Sequence, residues 1–319
     1  MAEKKETTKK MTKSTSVRNI PKILDYALEA RKLGLQVNPL FTGEPGLGKS
    51  FVCQQWAAEQ RKRNPNFGLF DFRAAYYEGP DVIGFPSVEI VNGRSRTVNN
   101  LPSFWPTEGE GLLLIEEPNR GNQSIMNCLM QLLTDRKIGE YTLPEGWVIA
   151  GCINPENGFD VNSMDAALKN RFEEYEITYD HEAFMGYVKT NTWHSNTSAF
   201  LNSGTWAYAK SGEIAPTDKY ISPRSWEKMN NLERVNIFED KDLHYVSSCA
   251  ILGDNYGNAY HNFNYEQSPV LAKHLKDSKK AALEKLSKQA DLNAYRGDLV
   301  NVTVESIVQQ LPDYPLDII

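Results

Sequence analysis

The spacing of apolar positions changes along the chain, and the changes mark its elements. Ile23, Leu24, Ala27, Leu28 and Ala30 recur at helical spacing, which predicts a helix over residues 20–33 stopped by Gly34. Residues 35–42 then form a short apolar strand that runs into a glycine-rich turn. Residues 50–63 read as a helix ended by Asn64-Pro65, and 67–74 alternate as a strand does. Within 88–98, Asn92-Gly93 separates two extended runs, a strong hairpin signal. Residues 111–115 are continuously apolar, the pattern of a strand covered on both faces. Over 124–133, Ile125, Cys128, Leu129, Leu132 and Leu133 share one helical face. A second small hairpin is expected over 136–143 and another buried strand over 148–153. Strands alternating with helices predict an α/β fold with parallel core strands.

After Tyr179 helical patterns dominate to Phe263, followed by a polar, Lys-rich stretch over 273–288. A loop with Pro216 and Pro223 places a domain boundary near 213–222. The first eighteen residues are rich in Lys, Thr and Ser and poor in apolar groups, so a flexible arm is expected there. The expected organisation is an arm over 1–18, an α/β domain over 19–215 and a helical domain with a C-terminal extension over 216–319.

Composition narrows the class. The 319 residues are 40% hydrophobic and 24% charged, as in ordinary globular chains. No apolar run reaches the roughly eighteen residues of a membrane span, and no apolar core follows the basic N-terminus. A cytoplasmic protein with no membrane association is the expectation. Cys53, Cys128, Cys152 and Cys249 lack paired spacing, which argues for free thiols rather than a disulfide framework or zinc cluster. The five histidines show no ligand spacing. A net charge of −6 disfavours a wholly basic nucleic-acid binder.

The chemistry is carried by two segments. Gly43-Glu44-Pro45-Gly46-Leu47-Gly48-Lys49-Ser50 matches G-x-x-x-x-G-K-[ST], with a strand before it and a helix opening through Phe51 after it. Glycines let the backbone wrap a phosphate with its amides pointing inward. Lys49 supplies a point charge for the β- and γ-phosphates, and the Ser50 hydroxyl a ligand for Mg²⁺. The second segment, Leu112-Leu113-Leu114-Ile115-Glu116-Glu117, ends a buried strand in two carboxylates. In open α/β sheets, ligands bind at that strand end. Adjacent side chains point to opposite faces, so one acid can serve the metal and the other an attacking water.

The order of P-loop, LLLIEEPNRG, CINP, LKNRF and SPRSW resembles the AAA+ ATPase superfamily, closest to its MoxR-like, dynein-related branch near midasin. The likeness spans residues 20–252. It implies a P-loop NTPase sheet flanked by helices, followed by a small α-helical lid, with ATP and Mg²⁺ as cofactors. By resemblance Glu116 joins Ser50 at the metal, Glu117 is the catalytic base and Asn154 the sensor-1 residue. Arg171 matches the arginine finger that reaches a neighbouring subunit, and Arg224 matches sensor 2 on the lid. The hairpins at Asn92-Gly93 and over 137–143 match this branch's two inserts. The family expectation is a homo-oligomeric ring, most often a hexamer. It would act as a remodelling or chaperone-like motor on a separate protein, with a von Willebrand factor A domain as a candidate partner. Two alternatives stand beside it. One is a nucleic-acid-linked motor of McrB-like or replication-related type, contacting phosphates through Arg94, Arg96 and Lys137; the overall acidity disfavours it. The other is a nucleotide-gated scaffold with weak hydrolysis, because Glu116 stands where the family carries aspartate.

Overall fold

Leu112, Leu113, Leu114 and Ile115 are all fully buried. A strand without polar alternation needs cover on both faces, and the fold supplies it. The computed structural model describes residues 14–154, 164–204, 208 and 219–265. The chain divides into two units, Met1–Tyr179 and Asp180–Ile319.

In chain order the first unit contains β1 (Ser14–Ser16), α1 (Ile20–Lys32), β2 (Pro39–Thr42), α2 (Lys49–Arg63), β3 (Gly68–Arg73) and α3 (Gly79–Ile83). There follow β4 (Phe85–Val91), β5 (Arg94–Asn100), β6 (Glu110–Glu116), α4 (Gln123–Asp135), β7 (Lys137–Ile138) and β8 (Tyr141–Thr142). The unit closes with β9 (Gly146–Ile153), α5 (Ala166–Lys169) and β10 (Glu173–Thr178). Six strands make one sheet in the order β1-β10-β2-β9-β6-β3, with every neighbouring pair parallel. Leu112 and Leu114 pack with Ile20, Leu24, Cys53 and Trp56 of α1 and α2. Leu113 and Ile115 pack with Ile125, Leu129 and Leu132 of α4 on the opposite face. The architecture is that of a P-loop NTPase: a parallel sheet flanked by helices, followed by a helical unit.

Both expected hairpins form. β4 pairs antiparallel with β5 across Asn92 (φ 53°) and Gly93 (φ 73°), the backbone a tight primed turn requires. β7 pairs with β8. Two strands correct the sequence expectation. Ser14–Ser16, placed in the flexible arm, instead lie parallel to β10 at the sheet edge; residues 1–13 of that arm lie outside the described ones. β10 itself, Glu-Glu-Tyr-Glu-Ile-Thr, lacks the apolar alternation of a strand; it nonetheless pairs with β2 and buries Ile177. Two of its three acids are occupied: Glu173 accepts from the Asn38 amide at 2.6 Å and Glu174 from the Thr42 hydroxyl at 3.1 Å.

The second unit contains α6 (His181–Thr190), α7 (Ser195–Asn202), α8 (Pro223–Glu233) and α9 (Lys241–Tyr265). It begins well before the 213–222 loop, because Phe200 of α7 packs on Trp226 of α8 and on Tyr260 and Phe263 of α9, with ring centroids 5.2–5.3 Å apart. α9 is broken at Gly253 (φ 76°, ψ 168°) and folds back on itself. A Cβ on Gly257 would lie 2.5 Å from the Cys249 backbone. Gly257→Ala is therefore expected to destabilise this unit by about 1–3 kcal/mol, read as a lower urea midpoint.

Candidate functional site

The site forms where three adjacent strands end. β9 lies between β2 and β6 in the sheet, so the residues that follow these strands meet at one edge. The turn after β2 is anchored by Gly43, whose N–H donates to the Ile153 carbonyl at 3.2 Å. A side chain at Gly43 would put its Cβ 2.5 Å from the Ile177 carbonyl oxygen. Gly46 (φ 77°) and Gly48 (φ 88°) adopt left-handed backbone, the conformation that turns successive amides toward one point. Leu47 packs inward, while Glu44 and Pro45 are half-buried. The N-terminus of α2 follows at once and adds its dipole. Phe51 sits exposed on that first turn.

Lys49 is 6% exposed, and its ammonium donates to the carbonyls of Gly43 (2.5 Å) and Glu44 (2.9 Å) and to Asn154 Oδ1 (3.1 Å). The Asn154 amide in turn donates to Glu117 Oε1 at 2.8 Å. The other Glu117 oxygen meets Arg120 Nε at 3.0 Å. Glu117 has left-handed backbone (φ 50°, ψ 55°), with its N–H on the Cys152 carbonyl at 2.8 Å. For a residue with a Cβ that conformation costs on the order of 1–3 kcal/mol. It breaks the alternation of β6 and turns the carboxylate along the strand ends toward Asn154.

Glu116 keeps the strand alternation and faces α2, as Leu112 and Leu114 do. Burial raises its pKa; a hydrogen bond from the Ser50 hydroxyl opposes the rise and the negative charge of Asp71 adds to it. Glu116 Oε1 is buried without a hydrogen-bond partner. An orphaned carboxylate oxygen beside a serine hydroxyl is a donor set that suits a hard divalent cation.

Lys49, Ser50, Glu116, Glu117 and Asn154 are thus gathered at one sheet edge. Arg171 is not. It precedes β10, whose first residue Glu173 pairs with Pro39, the first residue of β2, whereas the phosphate loop follows the last. The length of β2 alone separates the two by about 13 Å. Arg171 is held there by Thr134 Oγ1 at 2.7 Å and the Ala167 carbonyl at 2.6 Å. Arg224 belongs to the second unit, exposed on the first turn of α8. Asp71, Gln54 and Arg120 also border the site, Arg120 through its ion pair with Glu117 and Gln54 through its bond to Asp71. For Asp71 a signal existed, an acid inside the otherwise apolar strand 67–72.

No protein-family model matches the chain, and no curated protein matches it. Among solved structures the chain is similar to the Thermotoga maritima RuvB Holliday junction branch migration motor, at 16% identity and a TM-score of 0.46, over 92% of this chain and 87% of that one. Two variants of the same Thermotoga protein match over the same shares, at 14% identity with a TM-score of 0.46 and at 17% with 0.44.

Proposed function

We propose that this chain is an ATP-hydrolysing AAA+ ATPase of the MoxR-like branch that assembles into a ring and remodels a protein partner. The observation that carries the reading is the unbroken path of contacts from Lys49 through Asn154 to Glu117. It joins the phosphate loop, the end of β9 and the end of β6 in the order that hydrolysis of a terminal phosphate needs. Lys49 would exchange its carbonyl partners for the phosphate tail. Glu117 would accept a hydrogen bond from the attacking water, and Asn154 would hold both in line. Ser50 and Glu116 would hold Mg²⁺, which supplies neutralising charge on the phosphates when bound.

The place of Arg171 supports assembly. An arginine at the opposite end of β2 from its own phosphate loop cannot serve that loop, and a partly exposed position suits it to serve the next subunit's. The β4–β5 hairpin supports a protein partner over a nucleic acid. Val88 and Ile90 are 69% and 78% exposed on one face, and on the other Arg96 is engaged by Glu89 at 3.4 Å. An apolar, charge-paired hairpin matches a protein surface better than a phosphate backbone.

Two measurements test this. Purified protein with Mg²⁺ is expected to bind ATP and release phosphate; absence of affinity for any nucleoside triphosphate ends the proposal. Lys49→Ala and Arg171→Ala are each expected to be inactive alone, the second by about 10³–10⁵-fold. Mixing them is expected to restore activity, because the Arg171→Ala chain keeps an intact phosphate loop and the Lys49→Ala chain an intact finger. Co-assembly without restored activity removes Arg171 from that role.

A further inference from the structure

The sheet face under α2 carries a second carboxylate that the reaction outlined above leaves unused. Asp71 lies on β3 opposite Leu114 of β6, and Arg73 lies opposite Glu116. Leu112 and Leu114 face the α1–α2 layer. Residues paired across a ladder share a face, and so do residues two apart. Asp71 and Glu116 therefore both point toward α2 from adjoining strands. α2 agrees: Ser50, on its first turn, lies close enough to lower the Glu116 pKa, and Gln54, one turn further on, donates to Asp71 Oδ2 at 3.4 Å.

Each carboxylate has one oxygen left over. Asp71 Oδ1 and Glu116 Oε1 are both buried with no hydrogen-bond partner. Two desolvated acceptors on neighbouring acids are costly unless a cation or donor lies between them. The nearby cations are engaged elsewhere. Lys49 spans two carbonyls and Asn154, and Arg73 sits on the other Asp71 oxygen at 3.1 Å.

We propose that Asp71 is a positioning residue for the divalent cation: Ser50 and Glu116 hold the ion, and Asp71 accepts a hydrogen bond from water bound to it. This rests on the nucleotide-site reading above. It gives a physical role to the glutamate at position 116. Mg²⁺ keeps several waters and uses one or two carboxylates, so a longer first acid is accommodated when a second acid orients those waters. Groups that orient a metal's own ligands typically contribute 10–100-fold in metal affinity.

The test uses Mn²⁺ as probe, with free Mn²⁺ followed by electron paramagnetic resonance in the presence of protein and ADP. Nucleotide affinity is measured in parallel with metal and with excess EDTA. Asp71→Asn keeps the shape and the acceptor for Gln54. It is expected to weaken Mn²⁺ binding by at least about 10-fold and to leave metal-free nucleotide affinity unchanged. Asp71→Glu, which keeps the charge, is expected to recover part of the loss. Unchanged Mn²⁺ affinity in Asp71→Asn overturns the proposal. So does an equal loss of nucleotide affinity with and without metal, which marks a purely structural acid. A wild-type chain that binds no nucleotide under either condition overturns the nucleotide-site reading as well.

Discussion

Glu117→Gln is expected to bind ATP with nearly wild-type affinity and to hydrolyse it about 10²–10⁴-fold more slowly. Binding survives because Lys49 is held by the Gly43 and Glu44 carbonyls and by Asn154 Oδ1, all of which the substitution leaves in place. The phosphate loop, its glycines and the start of α2 stand apart from the substituted group. Turnover falls because a glutamine has one acceptor and no charge. If its oxygen stays on the Asn154 amide, its NH₂ faces Arg120, donor against donor, where the carboxylate now makes a 3.0 Å ion pair. No negative group is then left to polarise water. Equilibrium nucleotide binding and phosphate release, measured on the same preparation, separate the two effects. Turnover within a factor of about two of wild type would remove Glu117 from the role of base, since loss of a general base costs far more. Glu116→Gln offers a contrast: it is expected to weaken metal-dependent nucleotide binding itself, because it removes the charge from the carboxylate proposed to hold Mg²⁺, whose Oε1 is buried without a partner.

The site was legible where its physics is local. Gly43, Gly46, Gly48, Lys49 and Ser50 occupy one turn, so their spacing alone specifies a wrapped backbone with an ammonium and a hydroxyl. The runs over 111–115 and 148–153 showed themselves as buried strands because nothing polar interrupts them. The illegible parts depend on partners distant in sequence. β10 has three glutamates in six residues, a composition that strands disfavour; the Asn38 amide on Glu173 and the Thr42 hydroxyl and Lys169 on Glu174 help make it tolerable. Ser14–Ser16 have no apolar pattern and become a strand because β10 presents an open edge. Asp71 gains its meaning from Glu116 on the next strand, and register cannot be read from one strand alone. The start of the helical unit at Asp180 follows from the packing of Phe200 on Tyr260, sixty residues later.

The same helical unit carries the substitution expected to cost the protein most stability. Glu233 is fully buried at the end of α8. His244 Nε2 lies 2.9 Å from its Oε1, and the Tyr260 hydroxyl donates to the same oxygen at 2.6 Å. The Asn196 amide donates to Oε2 at 3.3 Å, and His194 Nδ1 stands 3.9 Å from it. Behind this shell, His244 Nδ1 faces His261 Nδ1 at 3.0 Å, and Thr197 lies 3.2 Å from the Tyr260 hydroxyl. Burial pushes the Glu233 pKa up, but the hydrogen bonds from His244 and Tyr260 and the charges of His244 and His194 outweigh it, leaving it below its ordinary 4.5. A group with a depressed folded pKa stabilises the fold above its unfolded value and loses that contribution as pH falls through the folded value. The contribution of Glu233 is therefore complete above about pH 4.5 and disappears progressively below it. Glu233→Ala removes the shared acceptor of His244 Nε2 and the Tyr260 hydroxyl in the core and is expected to destabilise the unit by about 3–5 kcal/mol. Glu233→Gln retains one acceptor and is expected to cost less, while flattening the acid limb of stability. Urea unfolding followed by the fluorescence of Trp226 and its neighbours, repeated from pH 7 down to about pH 3, measures both quantities. A Gln variant with the same stability and the same acid slope as wild type would show that the carboxylate is a passenger in this core, and that the histidines and tyrosine are held by packing alone.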